Sequence, residues 1–262
     1  MIIAPSYWDL AAAAMLLLVN AAISIAFTLG IAKSILIAAL RMVVQLALIG
    51  VVLKVLLSSG NPWLTLAMAT VMISAAGYEI MRRQDHRLTG PWGYGLGAIS
   101  VLIASGSVTL LALAAMLQPE PWYTPRYAIP LFGMIIGNTM TGTSLGLSHL
   151  FGAVLRDRDR IEAQLLLGAN RWVAMRPVMR DALKAGFMPI INSMSAVGLI
   201  SLPGMMTGQI LAGAEPDVAV SYQLLIMFLI AAATGGGVLI AVFGGSALVT
   251  DQRHRIRPDR LT

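Results

Sequence analysis

The sequence contains no cysteine. That excludes a disulfide framework, a thiolate metal site and a CxxC redox centre. Charge is scarce too: 11% of the 262 residues are charged, while 58% are hydrophobic. A soluble domain carries about 25% charged and about 45–50% apolar residues, so this composition belongs in a bilayer. Histidine occurs only at His86, His149 and His254, and no HExxH pairs two of them for zinc. An intact phosphate-binding loop is also missing. GNTMTGTS (137–144) has the glycine spacing, but Thr143 stands where a lysine must reach the phosphates, and the stretch lies in an apolar run rather than after a strand. The chain therefore has no ATPase motif of its own. The opening MIIAPSYWDL lacks the basic n-region of a cleaved leader, so the first apolar run is expected to persist as a span.

What the chain does have is long apolar runs. Seven are long enough to cross a bilayer: residues 10–31, 35–57, 63–81, 94–117, 127–151, 187–211 and 219–248. Lipid offers no partners to backbone N–H and C=O groups, so these are expected as helices. Fifteen of the 18 Lys and Arg fall in loops and ends on one side of such a layout, and the opposite loops hold only Arg126. Arg41 and Lys54 lie inside the second run. The positive-inside rule then puts the N-terminus outside and the C-terminus in the cytoplasm. The net charge of +6 is thus a topology signal. It makes the lipid bilayer, not nucleic acid, the expected surroundings. The expected fold is an all-α polytopic membrane protein of about seven transmembrane helices, one domain over residues 1–262. A cytoplasmic segment at 152–186 separates spans five and six.

Polar and small residues inside the spans are the candidate functional groups. Arg41 and Gln45 lie one turn apart on span two and share a face. Glu79 ends span three beside Arg83, four residues on. An ion pair explains it as structure; a gate explains it as function. Span five carries Gly133, Gly137, Gly142 and Gly146 at GxxxG spacing, which lets helices approach closely, together with Asn138, Thr139, Thr141, Thr143 and Ser144. Span six carries Asn192, Ser193 and Ser195, then a break at Leu202-Pro203-Gly204. Proline removes a backbone donor, and freed carbonyls at membrane depth are tolerated where they line a cavity. Arg41, Gln45, Asn138, Thr141, Asn192, Ser195, Pro203, Met205 and Met206 are therefore the candidate translocation path. Interhelical packing is the alternative for each. It is also the simpler reading of the 16 methionines, which fill irregular apolar space.

The most charged passage is RDRDRIEAQLLLGANRW (156–172). Ile161, Leu165, Ala169 and Trp172 recur at helical spacing with charges between them, the pattern of an amphipathic helix. Gly168 interrupts it, which predicts two short helices meeting at a turn. A helix lying on the membrane surface explains the amphipathicity but not the Glu-Ala followed by Leu-Gly-Ala.

IEAQLLLGA resembles the EAAxxxG coupling-helix motif of ABC transporter permeases, with Glu162, Ala163 and Gly168 in register and Gln164 replacing the second alanine. Downstream, the motif's Ile-x-Leu-Pro is not kept. IPLFGMIIGNTM (129–140), VGLISLPGMMTGQILAGAEPDVAVSYQ (197–223) and RMVVQL (41–46) are similar to the FetB-type permease family of metal exporters, which has plant aluminium-tolerance half-transporters among its relatives. The resemblance implies the membrane subunit of an ABC transporter in the cytoplasmic (inner) membrane, not itself an enzyme. It implies a permease homodimer with two copies of a separate ABC ATPase, which binds the ATP and Mg while this chain binds no cofactor. Glu162, Ala163, Leu167, Gly168 and Ala169 would then contact that ATPase. The cargo implied is iron or another metal ion, and the sequence names no metal ligand for it. An organic solute or nucleotide sugar is the alternative cargo. An ion-coupled secondary carrier is the alternative class, but it needs a titratable group in mid-membrane, and the spans carry no carboxylate or histidine near their centres. A hydrolase would need more than the adjacent Ser148 and His149, which do not face each other on a helix.

Overall fold

The computed structural model describes residues 6–251 and 255–262. Among them there is no strand, only isolated β-bridges between residues outside the helices. The chain divides into two compact units. The first holds α1 (Tyr7–Ala26) and α2 (Ala32–Ser59). A capping box starts α1, with the Asp9 carboxylate accepting from Ser6 N–H at 2.8 Å. The turn into α2 is tied by the Ser24 hydroxyl, which accepts from Ile31 N–H at 3.2 Å.

The second unit, Asn61–Ile210 with Ala214–Thr262, contains the rest. Its helices are α3 (Pro62–Arg82), α4 (Pro91–Leu111, prolonged by a π-helical turn at Ala112–Leu117), α5 (Pro125–Arg156), α6 (Arg158–Leu166), α7 (Arg171–Ala196), all but the end of α8 (Gly204–Leu211), and α9 (Pro216–Leu248). Four of them start on proline, where the missing N–H has no helical partner to lose. α5 is the axle and packs against α3, α4, α7 and α9. At one end the core gathers around Ile80, Phe151, Val178 and Val242. At the other it gathers around Ile135, Ile190 and Leu229.

Glycines set the spacing of these helices. A Cβ on Gly142 of α5 would lie 2.7 Å from Thr234 Cγ2 of α9, and one on Gly186 of α7 would lie 2.6 Å from Val238 Cγ1. α5 and α7 therefore meet at backbone distance, with Thr234 and Val238 side chains of α9 packed into the crossing. Gly146 sits in the same crossing, with Val242 Cγ2 3.3 Å from its would-be Cβ. Gly137 does not: nothing lies within 4 Å of the corresponding point. The second GxxxG pair thus packs helices, and Gly137 of the first faces open space.

Among the described residues, five helices are long and apolar enough to cross a membrane: α1, α2, α3, α4 with its π turn, and α9. They coincide with expected spans one to four and seven. α5 is a single helix of 32 residues, about 48 Å long at 1.5 Å per residue, but it is too polar to meet the same measure. Protein covers much of α5, and Thr139, Thr143 and Ser144 are buried, so those side chains avoid the cost of facing hydrocarbon. The expected sixth span is not one helix. α7 ends at Ala196, several residues before the predicted break; Gly198 turns the chain at φ 89°, and α8 begins at Gly204. Pro203 does not break a helix but starts one, its carbonyl accepting from Thr207 N–H at 3.0 Å. The real stop is Val197-Gly198, where Ser201 N–H and Ile200 N–H both bond back to the Ala196 carbonyl.

The last residues form a strap. Thr262 and Arg87 exchange backbone hydrogen bonds of 2.9 and 3.0 Å, and Thr89 N–H donates to the Arg260 carbonyl at 2.8 Å. Arg260 also donates to the Leu248 carbonyl at 2.7 Å. The tail thereby clamps the α3–α4 loop to the end of α9. Arg253 and His254 lie outside the described residues.

Candidate functional site

The charged passage folds as α6, a turn, and α7. Ile161 is buried in the core and Leu165 packs against it, which fixes α6 to the unit. Gly168 takes φ 91°. Gly168 N–H bonds to the Leu165 carbonyl at 3.0 Å and Ala169 N–H to the Gln164 carbonyl at 3.1 Å, the paired bonds of a Schellman motif. Asn170 then caps α7, its side chain accepting from Val173 N–H at 3.0 Å. The expected hinge is there, but the second helix is not short: α7 runs 26 residues, because its apolar face at Ala174, Val178 and Ala182 continues into the core. Trp172, expected on the buried stripe, is half exposed and leans on Phe243 at 6.2 Å between ring centroids.

The turn leaves Leu166 90% and Leu167 88% exposed. Burying a leucine side chain is worth about 1.5–3 kcal/mol, so this pair forgoes a sizeable gain. Two adjacent leucines so exposed on a charged segment form a candidate interaction surface. Ala163 is exposed beside them, and Glu162 is held by Arg158, whose Nε lies 2.7 Å from Glu162 Oε1. That bond and the carboxylate charge raise the Arg158 pKa further above its ordinary value. Leu167 was among the residues expected to contact a partner; Leu166, just as exposed, was not among them. The signal was present in Leu165-Leu166-Leu167, since three consecutive residues cannot share one face of a helix.

The candidate path residues fall into groups. Asn138 and Thr141 lie on the one exposed stripe of α5. Asn138 Nδ2 donates to the Met134 carbonyl at 2.8 Å and Thr141 Oγ1 to the Gly137 carbonyl at 3.0 Å. His149 and the half-exposed Ser148 continue the stripe. Thr139, Thr143 and Ser144 point the other way and are buried. The Thr139 and Thr143 hydroxyls, like that of Thr234 on α9, have no protein partner. On α7, Asn192 and Ser195 are exposed, with Ser195 Oγ donating to the Ile191 carbonyl at 2.9 Å. The crossing at Gly142 and Gly186, with Gly146 beside the Ala182 carbonyl, fixes α5 and α7 as antiparallel and sets their register. Counting outward from it puts Asn138 and Asn192 at nearly the same depth. Met205 packs against the core beside Ile190 and Leu229, and Met206 and Pro203 are half-buried. Arg41 and Gln45 are exposed on α2, in the other unit. Glu79 is ion-paired with Arg83, Nε to Oε1 3.3 Å, as its spacing implied. Among the described residues no three of His, Asp and Glu gather as a metal site.

Residues 7–249 match the model of a family described as an uncharacterised protein family, UPF0014. The chain belongs to the UPF0014 family. It is 42% identical over 193 residues to the UPF0014 membrane protein slr1647 of Synechocystis, covering 72% of this chain and 73% of the relative. It is 31% identical over 248 residues to the Escherichia coli protein named Probable iron export permease protein FetB, covering 95% and 93%. It is 37% identical over 196 residues to Protein ALUMINUM SENSITIVE 3 of Arabidopsis thaliana, covering 74% and 69%. No solved structure matches the chain. The resemblance drawn from 41–46, 129–140 and 197–223 therefore holds over nearly the whole length. This UPF0014 member is a multi-pass membrane protein, as its relatives' names and its own apolar helices agree.

Proposed function

We propose that this chain is the permease subunit of an ABC transporter that exports iron or another metal ion across the cytoplasmic membrane. The observation that carries the proposal is the Leu166–Leu167 projection, held out by the Schellman turn at Gly168 within a sequence resembling a coupling helix. The relative named as an iron export permease supports the cargo. In this reading the basic ends of the helices face the cytoplasm and the N-terminus lies outside. α5 and the α7–loop–α8 segment complete seven crossings. A separate ATPase subunit binds ATP and Mg, docks on Glu162, Ala163, Leu167, Gly168 and Ala169, and drives two copies of this chain between inward- and outward-open states.

The exposed polar stripes of α5 and α7 suit a path formed when a second copy covers them. Metal passing there would meet hard oxygen ligands, from Asn138, Thr141, Asn192, Ser195 and backbone carbonyls, of the kind suited to hard cations. Glu79 is the candidate gate at the cytoplasmic end. Co-expression with a lone ATPase carrying a P-loop tests the assembly. Inverted vesicles holding both chains should accumulate iron, or another of manganese, zinc and nickel, only with ATP; uptake without ATP, or ATP-driven uptake of none of these metals, would refute the assignment.

A further inference from the structure

A groove of about 890 Å³ runs beside α7, between Trp172 at one end and Phe187 and Ile191 at the other, with Phe243 of α9 as its far wall. Along one edge stand Arg176, Arg180 and Lys184. They are spaced i, i+4, i+8, so they rise about 6 Å per step up a single helix face. Among the described residues the acid lining the same edge is Asp181, 3.6 Å from Lys184, and both are well exposed. One carboxylate against three cations leaves the edge positive. Arg171 is not part of the ladder: its guanidinium stacks 5.1 Å from the Trp172 ring and donates to the Asp251 carbonyl.

The walls are as informative as the edge. Trp172, Ile191 and Phe243 are each between 41% and 46% exposed, so an apolar surface of mixed aromatic and aliphatic character lies uncovered next to the cations. Phe187 closes the groove inward, its ring 2.9 Å from where a Cβ on Gly235 would stand. The two helices are antiparallel, and α9 ends at Leu248 shortly before Asp251. Arg176 and Arg180 therefore lie near that polar end, while Lys184 and Ile191 lie deeper. Long cationic side chains at such a level extend toward the interface along apolar surface.

We propose that this groove binds an anionic phospholipid, its phosphate on Arg176 and Arg180, its neighbouring charge toward Lys184, and an acyl chain along Phe187, Ile191 and Phe243. Charge complementarity selects the headgroup, since basic side chains at a membrane surface attract anionic lipid. The apolar walls select a lipid over a soluble anion. A second copy of this chain fits poorly, because a two-fold contact there would set each ladder against its twin. The site needs neither the ATPase nor a direction of transport, so it stands or falls apart from the permease assignment.

The test is native mass spectrometry of the full chain in detergent, titrated with phosphatidylglycerol or with phosphatidylcholine of the same acyl chains. Phosphatidylglycerol should be retained at least about tenfold better. Arg176→Gln/Arg180→Gln/Lys184→Gln should erase that preference, and Arg180→Gln alone should reduce it should the triple variant fail to fold. Lys54→Gln, a cation on α2, should leave it intact. Equal retention of the two lipids, or an unchanged preference in the variants, overturns the proposal. So does displacement of the lipid by soluble glycerol phosphate, which would make the groove a site for small anions. So too does a triple variant that keeps its lipid but loses a co-purified ATPase, which would make the ladder a protein-docking face.

Discussion

Gly142 and Gly186 close on each other reciprocally: a Cβ on Gly142 would stand 2.9 Å from the Gly186 carbonyl oxygen, and one on Gly186 would stand 3.0 Å from the Gly142 carbonyl oxygen. Neither obstacle is a flexible side-chain end, so neither can swing away. This contact fixes the register of α5 against α7 and, through it, the level of every polar residue on the two stripes.

Gly142→Ala and Gly186→Ala should each destabilise the protein by about 1–3 kcal/mol, the usual cost of overpacking a tight site. Gly137→Ala, with nothing within 4 Å of the new carbon, should be neutral or raise stability by up to about 1 kcal/mol through helix propensity. Thermal unfolding in detergent separates the two classes. Equal melting temperatures for Gly142→Ala and Gly137→Ala would mean that the crossing is not tight.

Leu166→Glu/Leu167→Glu should leave folding unchanged, because both side chains are already exposed and pack against nothing in the chain. Under the permease assignment it should abolish co-purification of the ATPase. Gly168→Ala tests the turn rather than the surface. No neighbour obstructs a Cβ there, but a left-handed φ costs an L-residue about 1–2 kcal/mol. Coupling should weaken, and the melting temperature should fall by a few degrees, at about 2–4 °C per kcal/mol for a chain of this size. ATPase pull-down and ATP turnover of the purified complex give both readings.

How far the sequence revealed this depended on what each signal rests on. Runs one to four and seven were legible because hydrophobicity over about 20 residues is set by lipid contact alone. α5 was found too, although its polarity reflects protein neighbours that composition does not show. The break in the sixth run was misplaced because Pro203 looked like a breaker. A proline in the first turn of a helix and one that ends a helix carry the same letter; only the hydrogen bonds at Ala196 tell them apart. At the site, Gly168 was legible because a glycine amid leucines predicts a turn. The division of α5 into a buried Thr139–Thr143 face and an open Asn138–Thr141 face was not, since all four are polar and only the neighbours of the helix decide. The pairing of the tail with Arg87 joins residues 175 apart and leaves no local trace.

Removing residues 258–262 should free the α3–α4 loop. The strap's backbone bonds at Arg87 and Thr89 and the Arg260–Leu248 bond would all be lost, and limited trypsin digestion should cut at Arg87 several-fold faster. pH should matter little in the working range. Arg257 donates to the Asp259 carboxylate and holds its pKa below the ordinary value. Whatever the pair contributes is present above the unfolded pKa and is lost only as pH falls through the folded one. Unchanged cleavage in the truncated chain would show that the loop does not depend on the strap.

Asn138→Leu should separate the path from the scaffold. The side chain bonds only to its own helix, through the Met134 carbonyl, and it is exposed, so removing it leaves no buried group unsatisfied. Stability and ATPase binding should therefore be unchanged. If a second copy covers the α5 stripe to make the path, replacing an amide by an apolar group of similar length removes a ligand and a hydrogen-bonding partner from its wall. Transport should fall by about tenfold or more, the scale of one lost polar contact to a charged cargo. Asn192→Leu, at the same depth on α7, should do the same. The pair together should cost less than the sum of the two if both act on one cargo. Transport at the wild-type level by Asn138→Leu would take α5 out of the path, and strictly additive effects would place the two residues at separate points along it.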